Sequence, residues 1–161
     1  MGHATDRFLE EALRLAEESA DSGGGPFGAV VVRDGEIVAR GANRVLADLD
    51  PSAHAEVVAL RGAARALGTH DLSGTILYAS CEPCPMCLGA SLWARVDMIV
   101  FAADRRDAAA AGFDDERFYR ALRSVALGEG SPEGVGWRRV ENERAQALLR
   151  SYATRPDRRP Y

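Results

Sequence analysis

The spacing of apolar residues in the first part of the chain predicts one helix followed by a β-hairpin. Apolar residues recur at helical intervals over residues 8–20, and three consecutive glycines end that pattern. Two short apolar runs, 28–32 and 37–40, then flank the dipeptide Asp34-Gly35. Because Asp-Gly favours the tight turns that join antiparallel strands, the two runs are predicted to be paired strands.

The rest of the chain alternates between strand and helix patterns. This alternation is typical of an α/β layer fold, and the leading hairpin makes the predicted sheet mixed rather than purely parallel. We find no internal repeat and no linker rich in Gly, Ser or Pro, so residues 1–161 are expected to form a single domain with an irregular tail, 154–161. The predicted segments are a loop at 43–52, a helix at 54–67, a strand at 75–79, a helix at 84–94, a strand at 98–101, an alanine-rich link, a helix at about 115–122, a loop at 128–136 and a helix at 142–152.

Composition and charge exclude several classes of function. The 161 residues include 20 basic and 24 acidic side chains, and the net charge of −4 leaves no overall positive field to hold a nucleic acid. All 20 basic residues are arginines, which excludes chemistry that needs a lysine, such as Schiff-base catalysis or a phosphate-binding P-loop. The apolar runs are far shorter than the roughly 20 residues of a membrane span, and acidic residues stand where a signal peptide would be apolar. A cytoplasmic protein without a membrane segment is therefore expected.

Candidate chemistry lies at the predicted starts of two helices. His54 and Glu56 stand at the first, and Cys84 and Cys87 stand three residues apart at the second, hence on one helical face. The positive end of a helix favours the thiolate form that binds metals, and a neutral imidazole from the neighbouring helix can complete a set of three ligands. Zinc with three protein ligands keeps a fourth position for water, which is typical of catalytic sites. Glu56 is then a candidate to accept a proton from that water.

Each half of this pattern has an alternative interpretation. A single histidine at a helix start is commonly a cap or a surface residue, and a C-x-x-C pair after a strand also occurs in thioredoxin-like redox proteins. Cys81 would create a structural Cys3His zinc site if it bound as well, but Glu82 and Pro83 are expected to leave it at the strand end, facing away. Together, H-x-E followed about 30 residues later by P-C-x-x-C is the signature of zinc-dependent nucleobase deaminases. The combination therefore favours a catalytic zinc site.

At these residues the chain resembles the cytidine and deoxycytidylate deaminase superfamily, and more narrowly the bacterial guanine deaminases. The resemblance implies a three-layer α/β/α sandwich with a mixed five-stranded sheet. It implies one zinc ion per chain, bound by His54, Cys84 and Cys87, with Glu56 as the proton shuttle in the hydrolysis of guanine to xanthine and ammonia. The narrower resemblance rests on GGPFGAV at 24–30, SAHAE at 52–56, SCEPCPMC at 80–87, WAR at 93–95, AGFDD at 111–115 and the final Tyr161.

The resemblance extends to residues around the substrate. Asn43 would hydrogen-bond the purine, and Asp115 would act on the purine amino group and help it to leave. Phe27 and Trp93 would stack against the base or contact its edge. Each residue has an ordinary structural alternative, and the sequence leaves these open: a turn residue for Asn43, core packing for the two aromatic residues, and an N-cap for Asp115.

The resemblance also implies an assembly. The guanine deaminases that the chain resembles exchange their C-terminal segments, which implies a homodimer in which the tail 154–161 places Tyr161 over the purine of the partner's site. A frayed tail is the alternative. The expected partner is a small nucleobase; other bases or nucleosides, such as cytosine, a triazine or guanosine, differ only in the pocket shape they need. A tRNA adenosine deaminase shares both motifs, but it must hold a polyanion, which the negative net charge disfavours.

Overall fold

The structure, a computed structural model, describes residues 6–129, 131–132, 134–159 and 161. Its contacts divide the chain into two compact units, the first ending at Phe118 and the second beginning at Tyr119. The single domain expected from the sequence stays a prediction. Among the described residues, no helix combines the length and the apolar character that crossing a membrane requires.

The described elements follow the predicted order, with two additional short helices. The first unit contains α1 (Asp6–Asp21), β1 (Gly28–Arg33), β2 (Glu36–Ala42), α2 (Val45–Asp48), α3 (Ala55–Leu67), β3 (Thr75–Cys81), α4 (Pro85–Ala94), β4 (Met98–Ala103) and α5 (Arg105–Ala110). α6 (Glu116–Ala126) begins in the first unit and continues into the second, which also contains α7 (Glu143–Ala153). The predicted loop at 43–52 thus includes α2, and the alanine-rich link includes α5.

The strands form one mixed sheet in the order β2-β1-β3-β4. β1 is antiparallel to both of its neighbours, whereas β3 and β4 run parallel, with α4 as the crossover between them. The expected number of five strands is wrong for the described residues, which form four. Directly after β4, Asp104 starts α5 through a reciprocal capping box with Asp107, and the later elements are the helices α6 and α7.

The side chains of β1 alternate between two cores, one on each face of the sheet. Ala29 and Val31 pack with apolar residues of α3, whereas Val30 and Val32 pack with a core that includes Phe8 of α1. All four of these β1 side chains are at most 3% exposed. Because successive residues of a strand point to opposite faces, one buried strand supports helices on both sides. This confirms the predicted layers of helix, sheet and helix.

Two glycines allow the helices to approach the sheet closely. A Cβ atom at Gly28 would lie 2.2 Å from the carbonyl oxygen of Ala12 in α1. A Cβ atom at Gly41 would lie 2.1 Å from the carbonyl oxygen of Ala55 in α3. Only a residue without a side chain fits at such distances. Since Ala55 is the first residue of α3, the contact at Gly41 sets the position of that helix start.

Candidate active site

Two candidate ligands occupy the N-cap positions of neighbouring helices. His54 precedes α3 and Cys84 precedes α4, both with extended backbone, and within the described residues neither side chain caps its own helix. Pro85 follows at the first position of α4, where its fixed φ suits the helix and its missing N–H is not needed. The two side chains meet each other instead, with His54 Nδ1 3.6 Å from Cys84 Sγ.

Cys87 completes a triangle of possible metal ligands. Its Sγ lies 3.6 Å from His54 Nδ1 and 3.5 Å from Cys84 Sγ, and the three ligand atoms form a group that could hold a metal ion. Tetrahedral zinc, with bonds of about 2.3 Å to sulfur and about 2.0 Å to nitrogen, needs ligand atoms roughly 3.5 to 3.8 Å apart. The three side chains therefore fit zinc both in the chemistry of their ligand atoms and in their spacing.

The surroundings of the triangle favour the thiolate form of Cys84. Its hydrogen bonds with Cys87 and, next in size, with His54 lower the pKa of Cys84 well below the ordinary value for a thiol. The same pairing raises the pKa of Cys87, and the hydrogen bond with Cys84 raises the pKa of His54. Since the thiolate is the form that binds metals, this lowered pKa favours metal binding by Cys84.

Glu56 brings a buried carboxyl group to the edge of the triangle. It is the second residue of α3 and is 7% exposed, and its Oε2 accepts a hydrogen bond from Cys87 Sγ at 3.4 Å. Burial raises the pKa of Glu56 above the ordinary value for a glutamate. A raised pKa makes the carboxylate a stronger base, which suits a group that accepts and returns a proton.

Cys81, the third cysteine, is not a member of the triangle. It ends β3, and its Sγ donates to the carbonyl oxygen of Asp104 at 3.6 Å. Burial raises the pKa of the Cys81 thiol to about 11, so it stays protonated. Among the described residues, the group that could hold a metal ion consists of His54, Cys84 and Cys87 and does not include Cys81, so the structure gives no support to a Cys3His site.

Asp115 lies within electrostatic range of the triangle. It directly precedes α6 and is half-buried. Burial raises the pKa of Asp115, the negative charge of Cys84 raises it further, and the charge of His54 acts in the opposite direction. The backbone carbonyl of Asp115 accepts a hydrogen bond from Phe118 N–H at 3.0 Å. Its position thus suits an N-cap and also gives its carboxyl group an influence on the triangle.

Asn43 is held by hydrogen bonds on both its backbone and its side chain. Its N–H donates to the carbonyl oxygen of Phe27 at 3.0 Å, and its Oδ1 accepts from Val45 N–H at 3.2 Å. Ser19 in α1 is buried, and its hydroxyl lies 2.7 Å from the carbonyl oxygen of Gly25 and 3.2 Å from that of Asn43. The Oδ1 atom of Asn43 therefore takes part in a turn, while the amide nitrogen of the same side chain lies close to Gly25.

The three aromatic candidates lie in different surroundings. Phe27 makes an edge contact with Phe113, with ring centroids 4.9 Å apart and planes at 83°. Trp93 lies one residue before the end of α4 and is 65% exposed, and Tyr161, in the second unit, is 72% exposed. The distances described above join His54, Glu56, Cys84 and Cys87; they include neither Trp93 nor Tyr161. Sequence reasoning assigned no role to Phe113, because a contact with Phe27 depends on the tertiary fold.

Comparison with known proteins gives consistent matches. The sequence profile of the cytidine and deoxycytidylate deaminase zinc-binding region matches residues 3–103. The chain is 54% identical over 127 residues to guanine deaminase from Bacillus subtilis, which covers 78% of this chain and 80% of that protein. The crystal structure of a guanine deaminase from Bacillus subtilis superposes with a TM-score of 0.91 at 41% identity, covering 100% of this chain and 99% of the other. A tRNA-specific adenosine deaminase from Bacillus subtilis is 43% identical over 96 residues, which cover 60% of each chain.

Proposed function

The chain belongs to the family of the cytidine and deoxycytidylate deaminase zinc-binding region, and from this membership we propose that it hydrolyses guanine to xanthine and ammonia, with one zinc ion per chain. The observation that carries the proposal is the buried carboxyl group of Glu56, 3.4 Å from one of three ligand atoms with the spacing of a zinc site. The 54% identity to a guanine deaminase supports the choice of guanine. The enzyme is a hydrolytic deaminase.

The residues of the triangle and Glu56 have different roles at the reacting carbon, C2 of guanine. A zinc ion held by three protein ligands would lower the pKa of a water molecule towards neutrality. We assign His54, Cys84 and Cys87 as its ligands. Glu56 takes a proton from the water and delivers it to N3 of guanine. A carboxyl group whose pKa is raised by burial suits both transfers, because its carboxylate is a stronger base than that of an exposed glutamate.

Asp115 is the residue that we assign to the leaving amino group. Ammonia leaves C2 only after the amine has gained a proton, and a second carboxyl group can supply it. Glu56 is almost fully buried and Asp115 only half-buried, so the two groups hold their protons in different surroundings. Two carboxyl groups in different surroundings can divide the proton transfers between them.

The purine would be bound by one polar and several aromatic side chains. We assign the amide of Asn43 to a hydrogen bond with the purine, because its oxygen and backbone are already fixed by other contacts. We assign Phe27 to contact with the base, since its edge contact with Phe113 holds the ring in one orientation. Trp93 presents a large exposed ring, and we assign it to the edge of the base.

We further propose a cytoplasmic homodimer that exchanges its tails. The three cysteines are free thiols, and zinc ligands of this kind must stay reduced, which suits the cytoplasm. Exposed apolar side chains on α7, among them Leu148 and Leu149, suit packing against a second copy. The tail 154–161 would then bring Tyr161 over the purine of the partner's site, where it excludes water.

Mixing two inactive variants tests the exchange of tails. One chain carries Glu56→Gln and keeps its tail, and the other keeps Glu56 but lacks residues 157–161. A mixed dimer should contain one complete site, so activity should return after subunit exchange. Full activity of the truncated chain alone, or no recovery after exchange has been verified, would reject this assembly.

The substrate is tested by kcat/KM on a panel of guanine, cytosine, adenine and guanosine, with ammonia release as the signal. We expect guanine to be the preferred substrate. Glu56→Gln should retain zinc and lose about 10²-fold to 10⁴-fold in turnover, the contribution typical of a general acid and base. Preference for another base or nucleoside would move the assignment to that substrate.

A tRNA adenosine deaminase is the second candidate, because the chain is 43% identical to one over 96 residues. The net charge of −4 disfavours it, since RNA binding depends on cationic side chains that neutralise phosphates. Inosine formation in a tRNA anticodon stem-loop, at a rate above that of guanine deamination, would favour this candidate.

A further inference from the structure

Arg105 connects the two segments of chain that carry Cys84 and Asp115. We propose that Arg105 is a positioning residue, which fixes the loop before Cys84 and the loop that ends at Asp115 relative to each other. The proposal rests on the function assigned above to Cys84 and Asp115. None of the sequence motifs includes Arg105, which is the first residue of α5.

The contact of Arg105 with the first loop is extensive. Glu82 lies between β3 and Cys84, and its carboxylate accepts hydrogen bonds from Arg105 Nε at 3.1 Å and from Arg105 Nη2 at 2.5 Å. The backbone N–H of Arg105 is a third donor to the same carboxylate, at 3.1 Å. The backbone N–H of Glu82 donates to the carbonyl oxygen of Ala103 at 2.8 Å. The residue two positions before Cys84 is therefore held by both its backbone and its side chain.

The contact with the second loop is a single ion pair. Arg105 Nη1 lies 3.6 Å from Glu116 Oε2. Glu116 is the first residue of α6 and directly follows Asp115. The Glu116 side chain is 48% exposed and that of Glu82 only 16%, so we expect the second contact to be the weaker of the two.

The geometry requires arginine and not just a positive charge. The planar guanidinium group donates from several nitrogens in fixed directions, so one group can hold Glu82 with two nitrogens and face Glu116 with the third. A lysine ammonium is a point charge on a flexible stem and cannot hold a carboxylate through a planar pair of donors. Arg105→Lys should thus keep the charge and lose much of the positioning.

The test compares Arg105→Ala and Arg105→Lys with a matched control, Arg106→Ala. Arg106 is the next residue of α5 and is exposed, and among the described residues its side chain has no hydrogen bond or ion pair with either glutamate. Three quantities are measured on each protein: the rate of zinc release to a chelator, kcat and KM for guanine, and the free energy of unfolding in urea at equal zinc content.

We expect Arg105→Ala to release zinc about 10-fold to 100-fold faster than the control, if the loss of metal affinity typical for removal of a supporting residue is expressed in the release rate. It should also lower kcat with little change in KM, because the reacting groups move while the purine pocket is retained. Arg105→Lys should lie between Arg105→Ala and the unmodified protein. Zinc release and kcat within twofold of the Arg106→Ala control would overturn the proposal.

Two further variants separate the two contacts. Glu82→Gln should accelerate zinc release. Glu116→Gln should lower kcat and leave the rate of zinc release unchanged. Absence of an effect on kcat in Glu116→Gln would overturn the part of the proposal that concerns Asp115. Zinc release is measured without substrate, so it decides the Glu82 contact even if the unmodified protein fails to deaminate guanine. An active protein whose Arg105 variants behave like the control would reject the positioning role and leave the proposed function intact.

Discussion

Replacing Gly41 by alanine should force α3 away from the sheet. The added Cβ would lie 2.1 Å from the carbonyl oxygen of Ala55, 2.6 Å from the backbone nitrogen of Ala59 and 3.0 Å from the Ala59 Cβ. The two shortest contacts are with backbone atoms, so no change of side-chain rotamer can relieve them. The helix and the strand must separate instead.

The size of the effect follows from these distances. Ordinary van der Waals contact begins near 3.4 Å, so the backbones must move apart by roughly 1 Å, in an interior packed as densely as an organic crystal. Overpacking of this kind costs about 1 to 3 kcal/mol of the free energy of unfolding. Ala55 stands between His54 and Glu56, so the same movement displaces the residues that we assign as a zinc ligand and as the proton carrier. A misplacement of about 1 Å can reduce turnover by about 10²-fold.

Urea unfolding and guanine turnover, both at equal zinc content, test this reasoning against a second glycine. Gly89 lies inside α4, and a Cβ there would have no described atom within 4 Å, so Gly89→Ala should raise the free energy of unfolding by roughly 0.5 to 1 kcal/mol and leave turnover unchanged. The change in the free energy of unfolding should therefore be negative for Gly41→Ala and positive for Gly89→Ala. If Gly41→Ala is as stable and as active as the unmodified protein, the close approach of α3 does not constrain the site as we argue.

Four other variants give outcomes that can be measured directly. Cys84→Ala should lose zinc and activity while Cys81→Ala retains both, and metal analysis that finds a full zinc complement in Cys84→Ala would show the ligand assignment to be wrong. Asp115→Asn should reduce kcat more than stability, because the loss of an N-cap alone would cost about 0.5 to 2 kcal/mol and leave turnover nearly intact. Hydrogen bonds from Arg14 and a second arginine hold the pKa of Glu11 at about 2 instead of 4.5. Glu11→Gln should therefore reduce the free energy of unfolding by a constant amount above pH 4.5 and by progressively less as the pH falls towards 2; an equal loss in urea at pH 7 and pH 3 would contradict this.

The elements that could be predicted well from the sequence are those whose formation depends on residues close together in the chain. The apolar run in β1 and the turn at Asp34-Gly35 specify the hairpin without help from distant residues. Similarly, Cys84 and Cys87 share a helical face because of their spacing alone, and a histidine at the start of the neighbouring helix follows from the order of the elements. For these reasons both the hairpin and the metal-binding group could be anticipated.

Features that depend on tertiary contacts could not be predicted in this way. The fifth strand was expected from the resemblance alone, and the capping box at Asp104 starts a helix directly after β4 instead. The pair of Glu82 and Arg105 joins residues 23 positions apart, and the contact of Phe27 with Phe113 joins two different loops. No periodicity in the sequence marks such pairs, because they form only when the strands have been placed side by side.

His54 and Cys84, which we assign as zinc ligands, stand at N-cap positions, and this would link the lifetime of this protein to the zinc supply of its surroundings. An N-cap side chain normally contributes roughly 1 kcal/mol by hydrogen-bonding the first N–H groups of its helix, and within the described chain neither residue makes that bond. Zinc that binds the native state and not the unfolded chain adds a stabilisation that grows with the free zinc concentration. When zinc is scarce, the first turns of α3 and α4 have neither a side-chain cap nor a metal to hold them. A larger fraction of the protein is then open to proteases, so its abundance should fall with zinc before any change in its synthesis.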